Sequence, residues 1–232
     1  MRKILLLAVI FIVANACVSA QYVTFGRAFS FGHAYITDKI SQQQFLFSLT
    51  GGLSITYADN EHYGYAADIV YSTEGGKSKY NIGGADFNSK TKLSYLRLPL
   101  KYIIFLGEYG DPIRPKIMFG PSFAFLVLAD TDKENTIDNF NRFDMGLHIG
   151  FGANKIICDR IWLNTDITYT QGIIDITKNT NLNNEINLNG NIRLNISLLL
   201  NILIENECLI FRKLGKNTQK NKMCRIPFLK KP

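Results

Sequence analysis

Side chains along residues 45–57 alternate in character. Phe45, Phe47, Leu49, Leu53, Ile55 and Tyr57 occupy odd positions, while Ser48, Thr50, Gly52, Ser54 and Thr56 occupy even ones. Successive residues of a strand point to opposite faces, so period two predicts a wall with one apolar and one polar side. The pattern recurs in 143–154, 161–169 and 62–72 on odd positions, and in 191–202 on even ones. Segments 93–105 and 114–128 alternate too, with Arg97, Lys101 and Lys116 on the more polar side. Segment 22–33 is irregular, because Arg27 shares a face with Phe25, Phe29 and Phe31; it calls for a bulge or an arginine at a membrane interface. Together these predict an all-β chain: an eight-stranded antiparallel up-and-down transmembrane β-barrel.

The intervening connections support that reading. They run 34–44, 58–61, 73–92, 106–112, 129–141, 155–159 and 172–189, alternating long and short. Membrane barrels have short periplasmic turns and longer outer loops, so the chain starts and ends on the periplasmic side. Under this topology Tyr57, Tyr63 and Tyr102 form an inner aromatic girdle, and Phe45, Tyr71, Phe143 and Tyr169 an outer one.

Before the first strand, Arg2 and Lys3 precede an apolar run from Ile4 to Ala14, and Val18-Ser19-Ala20 supplies a small-residue cleavage site. This predicts a signal peptide over 1–20, cleaved after Ala20, and delivery to the outer membrane. A lipoprotein with Cys17 as the lipidated residue is the rival reading, and Ala14 argues against it. The barrel domain is then 21–204 and the tail 205–232. Residues 207–232 carry eight basic side chains against Glu207, which equals the net charge of the whole chain, +7. The barrel itself is therefore near neutral, and a nucleic-acid partner is not expected. Cys158, Cys208 and Cys224 remain after cleavage. Cys208 with Cys224 is a candidate disulfide closing a loop across the tail; Cys158, in a periplasmic turn, is placed to reach Cys208 at the base of the last strand instead, and the sequence leaves both open.

The stretch KLSYLRLPLKYIIF, with Tyr95, Leu96, Leu98, Pro99, Leu100, Lys101 and Tyr102, precedes RPKIMFGPSFAFLVLAD, with Gly120, Pro121 and Ser122. These segments resemble the PorT-like outer-membrane β-barrel family of Bacteroidota, in strand order and loop rhythm as well. The first motif is shorter here by about two residues before Lys101, Arg97 stands where that family commonly has an acid, and the chain runs past its last strand. The resemblance implies the fold and the outer membrane of a Gram-negative envelope; the family's link to protein secretion implies a role beside an envelope machine.

Inward positions hold Asp68, Arg97, Lys101, Lys116, Asp144, His148, Asp166 and Arg193. Eight strands leave room for side chains but no pore, and charges enclosed there must pair. The expectation is a structural polar network in the lumen, with no catalytic residue, cofactor or metal. The three histidines and the cysteine spacing match no zinc pattern.

The resulting reading is a small non-catalytic outer-membrane barrel with a structural or interaction role, accessory to an envelope or secretion machine. Its partners are outer-membrane lipid and a periplasmic or surface protein, met through the loops or the basic tail. Two alternatives stand beside it. A lipid-acting enzyme would need His33 to meet Ser41 or Asp38 at the outer rim; His148 and Asp144 share a strand face but point inward. A soluble lipocalin-like barrel would bind an apolar ligand and carry its apolar face inside.

Overall fold

A wall between lipid and a filled interior needs strands whose two sides differ, and each of the eight alternating segments forms one. The computed structural model describes residues 22–37, 42–58, 62–82, 85–107, 111–158, 161–178 and 186–202. The strands are β1 (Tyr22–Thr37), β2 (Leu46–Ala58), β3 (Tyr63–Ile82), β4 (Ala85–Phe105), β5 (Ile113–Thr131), β6 (Phe143–Cys158), β7 (Ile161–Gly172) and β8 (Leu188–Ile202). Each pairs antiparallel with its sequence neighbours, and β1 pairs with β8 to close the ring. The signal peptide, the tail, Cys17, Cys208 and Cys224 lie outside the described residues. Cys158 is disulfide-bonded.

The register fixes the geometry of closure. Directly paired residues lead from Val23 through Tyr57, Tyr65, Tyr102, Phe119, Ile149, Tyr169 and Ile192, and return to β1 at His33. One circuit therefore climbs about ten residues, which tilts the strands by about 40° from the barrel axis. The row begins at the buried Val23, passes through exposed and half-buried aromatic and aliphatic side chains, and rises from one rim toward the other.

Apolar side chains point outward. Phe47, Leu147, Ile149 and Leu198 are 59%, 58%, 57% and 53% exposed, whereas Ser48, Ser72, Asp144 and Arg97 are buried. This overturns the lipocalin alternative, which needed the reverse arrangement. At the rim bearing the short turns, Tyr63, Tyr65, Tyr57 and Phe119 gather around Tyr102; its ring lies 6.0 Å from that of Tyr63 and 5.4 Å from those of Tyr65 and Phe119. At the other rim Phe143 meets Phe125 edge-on at 5.4 Å, and the Tyr35 and Tyr169 hydroxyls share a hydrogen bond of 2.8 Å. The expected girdles hold except at Tyr71, which lies within β3 rather than at its end because that strand runs on to Ile82.

Three features differ from the sequence reading. Residues 73–92, expected as a loop, continue β3 and β4 into a long hairpin, paired from Thr73↔Ser94 to Ile82↔Ala85. Gly75 and Gly76, with abundant Ser and Lys, give this stretch a loop-like composition. Its backbone is nonetheless paired, and Gln42–Gln44 add a short strand to the β3 side. Second, β1 shows no register shift against β2 or β8, so Arg27 is an exposed residue of the outer wall directly paired with Leu53 and Leu198. No bulge relieves it. Third, the outer connections are partly ordered. Glu134–Asn135 pair back on β5, a 3₁₀ turn spans Ile137–Asn139, and Phe140 bridges Thr177.

The two central prolines do interrupt pairing, as expected from their missing N–H. Pro99 pairs with Ser122, but residues 98–99 lack ladder partners on β3; Pro121 pairs with Leu147, but residues 120–121 lack them on β4. The wall stays closed at the second gap, since a Cβ built on Gly120 would fall 2.1 Å from the Leu100 carbonyl oxygen. Only glycine lets these backbones meet so closely.

Candidate functional site

A β-strand that continues its alternation carries one more inward side chain every two residues. On β3 that series is Asp68, Val70, Ser72 and Glu74, and Glu74 is the centre of the lumen. Arg97 on β4 grips it with both arms: Nε donates to Oε1 at 2.8 Å and Nη2 to Oε2 at 2.7 Å. From β8, Arg193 Nη2 donates to Oε1 at 2.5 Å and the Asn189 amide donates to Oε2. The Ser72 hydroxyl donates to Oε1 at 2.6 Å. Arg97 also donates to Ser122 Oγ on β5 at 3.0 Å and to Asp144 Oδ2 on β6 at 3.1 Å, and lies against the Tyr95 ring. Three strands thus converge on one carboxylate, and Arg97 links two more to it. Two arginines and two acids leave the group electrically neutral.

A second tier lies nearer the rim that bears the short turns. Lys101 pairs with Asp68, and Lys116 Nζ lies 3.0 Å from Asp166 Oδ1. His148 lies between the tiers, where a small cavity of about 40 Å³ is also lined by Asp68, Lys101, Arg97 and Arg193. Lower still, the Arg114 guanidinium stacks 4.0 Å over the Phe105 ring, and its Nε donates to the Gly107 carbonyl at 3.2 Å. A void of about 20 Å³ there is shared with Trp162, Asn154 and Leu199. Neither cavity holds more than a few waters. A larger hollow, about 1090 Å³, is lined by Tyr57, Tyr65, Tyr102, Phe119, Ile149 and Tyr169 of the row described above, together with Lys101 and His148 of the inner face.

Apolar clusters bracket the charges. At the mouth bearing the long connections Leu93, Tyr95, Ala124, Leu126, Ala129, Phe140 and Ile176 pack together with Ile36 and Ile137, and toward the short turns Ala58, Ala66, Ile103, Phe105 and Met118 form another. Charges so enclosed meet little water, which makes each pairing stronger and each loss costlier.

All seven residues singled out for the lumen, together with Lys116, lie in these two tiers. Arg97, Asp144 and Arg193 belong to the upper one; Asp68, Lys101, Asp166 and Lys116 form the lower, with His148 between. Sequence reasoning missed Glu74, which was assigned to a loop although its even parity with Asp68 was visible, and Arg114 at the start of β5. The rim histidine His33 is engaged otherwise: the Leu46 N–H donates to its Nδ1 at 3.2 Å, and its ring stacks on Phe45 at 4.9 Å. Ser41 and Asp38 lie outside the described residues. Among the described residues no cluster of three or more His, Cys, Asp or Glu side chains is arranged to hold a metal.

A family model described as "Outer membrane protein beta-barrel domain" matches residues 20–178. Among solved structures, the outer membrane protein OprG from Pseudomonas aeruginosa is similar at a TM-score of 0.53 and 11% identity, over 79% of this chain and 97% of that one. Neisserial surface protein A aligns at a TM-score of 0.48 and 14% identity, over 75% and 96%. No curated protein matches the sequence.

Proposed function

Because this chain belongs to the outer membrane protein beta-barrel domain family, we propose that it is a closed, non-catalytic barrel of the outer membrane. Its role in this reading is structural and adhesive: a rigid wall that holds the β3–β4 hairpin above the outer surface to meet a partner. The observation that carries it is the Glu74 centre, which ties five strands together across the lumen, with cavities of a few tens of Å³ beside and below it. A scaffold built this way resists deformation and transmits nothing through its axis. The wider expectation, an accessory of an envelope or secretion machine of the PorT-like kind, rests on the motif around Tyr95–Tyr102 and on a hairpin reaching well past the membrane.

Planar-bilayer recording of the refolded full chain tests the closed lumen. The expected trace stays at baseline apart from brief flickers. A stable ohmic conductance that scales with salt would overturn the reading and make this a pore.

A further inference from the structure

The β3–β4 hairpin carries charge on the side that continues the lipid-facing wall. Within the membrane that side reads Ile69 and Tyr71 on β3, and Leu98 and Leu96 on β4, all exposed. Thr73 and Ser94 follow, paired with each other, and then the lysines begin. Lys92 pairs with Gly75, Lys90 with Lys77 and Asn88 with Lys79, so all four lysines share this face. Lys92 lies four residues beyond Leu96, about 10 Å higher along the tilted wall, within the headgroup layer above the hydrocarbon.

The pair Lys77↔Lys90 is the informative one. Side chains of directly paired residues stand about 5 Å apart at Cβ, and like charges there repel. Among the described residues no ion pair reaches Lys77, Lys90 or Lys92. Asp130 stands opposite Lys92, and the Asp132 carboxylate accepts the Lys90 backbone N–H at 2.8 Å and the Ser89 hydroxyl at 2.9 Å. Gln44, paired with Lys77, adds an amide to the same rung. Lys90, Lys92, Lys133, Asp130 and Asp132 line an open cleft of about 480 Å³.

We propose that this face binds the phosphates of the phosphorylated glycolipid of the outer leaflet, with Lys77 and Lys90 holding one phosphate between them and Lys92 a second contact. An anion placed between two ammonium groups turns their repulsion into two charge-assisted hydrogen bonds. The acyl chains would lie along Tyr71, Leu96 and Leu98, which continue the same side downward. The proposal rests on the outer-membrane orientation, with the hairpin facing outward.

The test titrates the refolded full chain in detergent micelles with fluorescently labelled diphosphoryl lipid A, in magnesium-free buffer. The comparison ligand is lipid A with both phosphates removed, and the variant is the double substitution Lys77→Gln/Lys90→Gln. Both proteins must show the heat-dependent gel shift of a folded barrel, which checks the barrel independently of the lysines. The wild type should bind diphosphoryl lipid A at least tenfold more tightly than the dephosphorylated form, and the variant should bind both alike. Equal binding of the two lipids by the wild type would overturn the proposal. So would competition by inorganic pyrophosphate at concentrations equal to the lipid, which would make the site one for soluble anions.

Discussion

Glu74 and Arg97 meet across the β3–β4 ladder as a two-point pair, with N–O distances of 2.8 and 2.7 Å, although their backbone partners are Leu93 and Val70, four residues apart on each strand. Glu74 is fully enclosed and holds Arg193 as well. Removing its carboxylate leaves two arginines facing one remaining acid, Asp144. Glu74→Ala should therefore lower unfolding free energy by about 3–5 kcal/mol. Denaturant titration in micelles, followed by the gel shift, measures it; a loss below 1 kcal/mol would show that the centre contributes little. Glu74→Gln keeps the shape but not the charge and should fall between.

Lys116 and Asp166, on β5 and β7, sit 3.0 Å apart with little exposure. Charged partners in contact couple, so a double-mutant cycle with Lys116→Met and Asp166→Asn should return about 1–3 kcal/mol of interaction energy. Additive single effects would mean the two charges are screened from one another.

Arg27 points to lipid between Leu53 and Leu198, in a wall that is otherwise apolar at that level. An arginine on the lipid face costs about 2–4 kcal/mol at the bilayer midplane and less toward the interface. Arg27→Leu is expected to stabilise the barrel in liposomes by about 1–2 kcal/mol, given its place in the lower part of the wall. A destabilised variant would instead assign Arg27 a specific partner, such as a lipid headgroup or a second copy.

Gly120 lies at the second proline gap, where the β4 and β5 backbones come into contact. Gly120→Ala would force its Cβ to 2.1 Å from the Leu100 oxygen, so one strand must shift. The expected loss is about 2 kcal/mol or more, whereas Gly51→Ala, whose nearest neighbour is the Phe29 ring at 3.7 Å, should change stability by under about 0.5 kcal/mol. Comparable losses at the two sites would remove the close-contact argument.

Much of this fold was legible because a membrane wall imposes one rule on every strand. Period two located all eight strands, and the polar parity picked out Asp68, Arg97, Lys101, Asp144, His148, Asp166 and Arg193 together. The rule failed where composition was taken as a substitute for parity. The Gly, Asn, Ser and Thr content of 73–92 suggested a loop, and Glu74 was lost with it, although it continues the inward series from Asp68 and Ser72. Register across the closure could not be read at all. That Arg193 reaches Glu74, 119 residues earlier, depends on a ten-residue stagger that only the assembled ring defines. Arg27 was flagged as an anomaly, and the structure keeps it as one on the lipid face.

The distribution of the Glu74 ligands over the strands also bears on how the barrel forms. Ser72 and Arg97 lie on strands adjacent in sequence, but Arg193 and Asn189 come from β8, which joins β1 only at the last seam. A sheet still open at that seam holds Glu74 with one arginine and presents the other to water or lipid. Insertion of the final strand therefore completes the charge balance at the same moment that it removes the last free edge. The pairs Lys101–Asp68 and Lys116–Asp166 do not depend on that seam, so closure adds to the Glu74 centre alone.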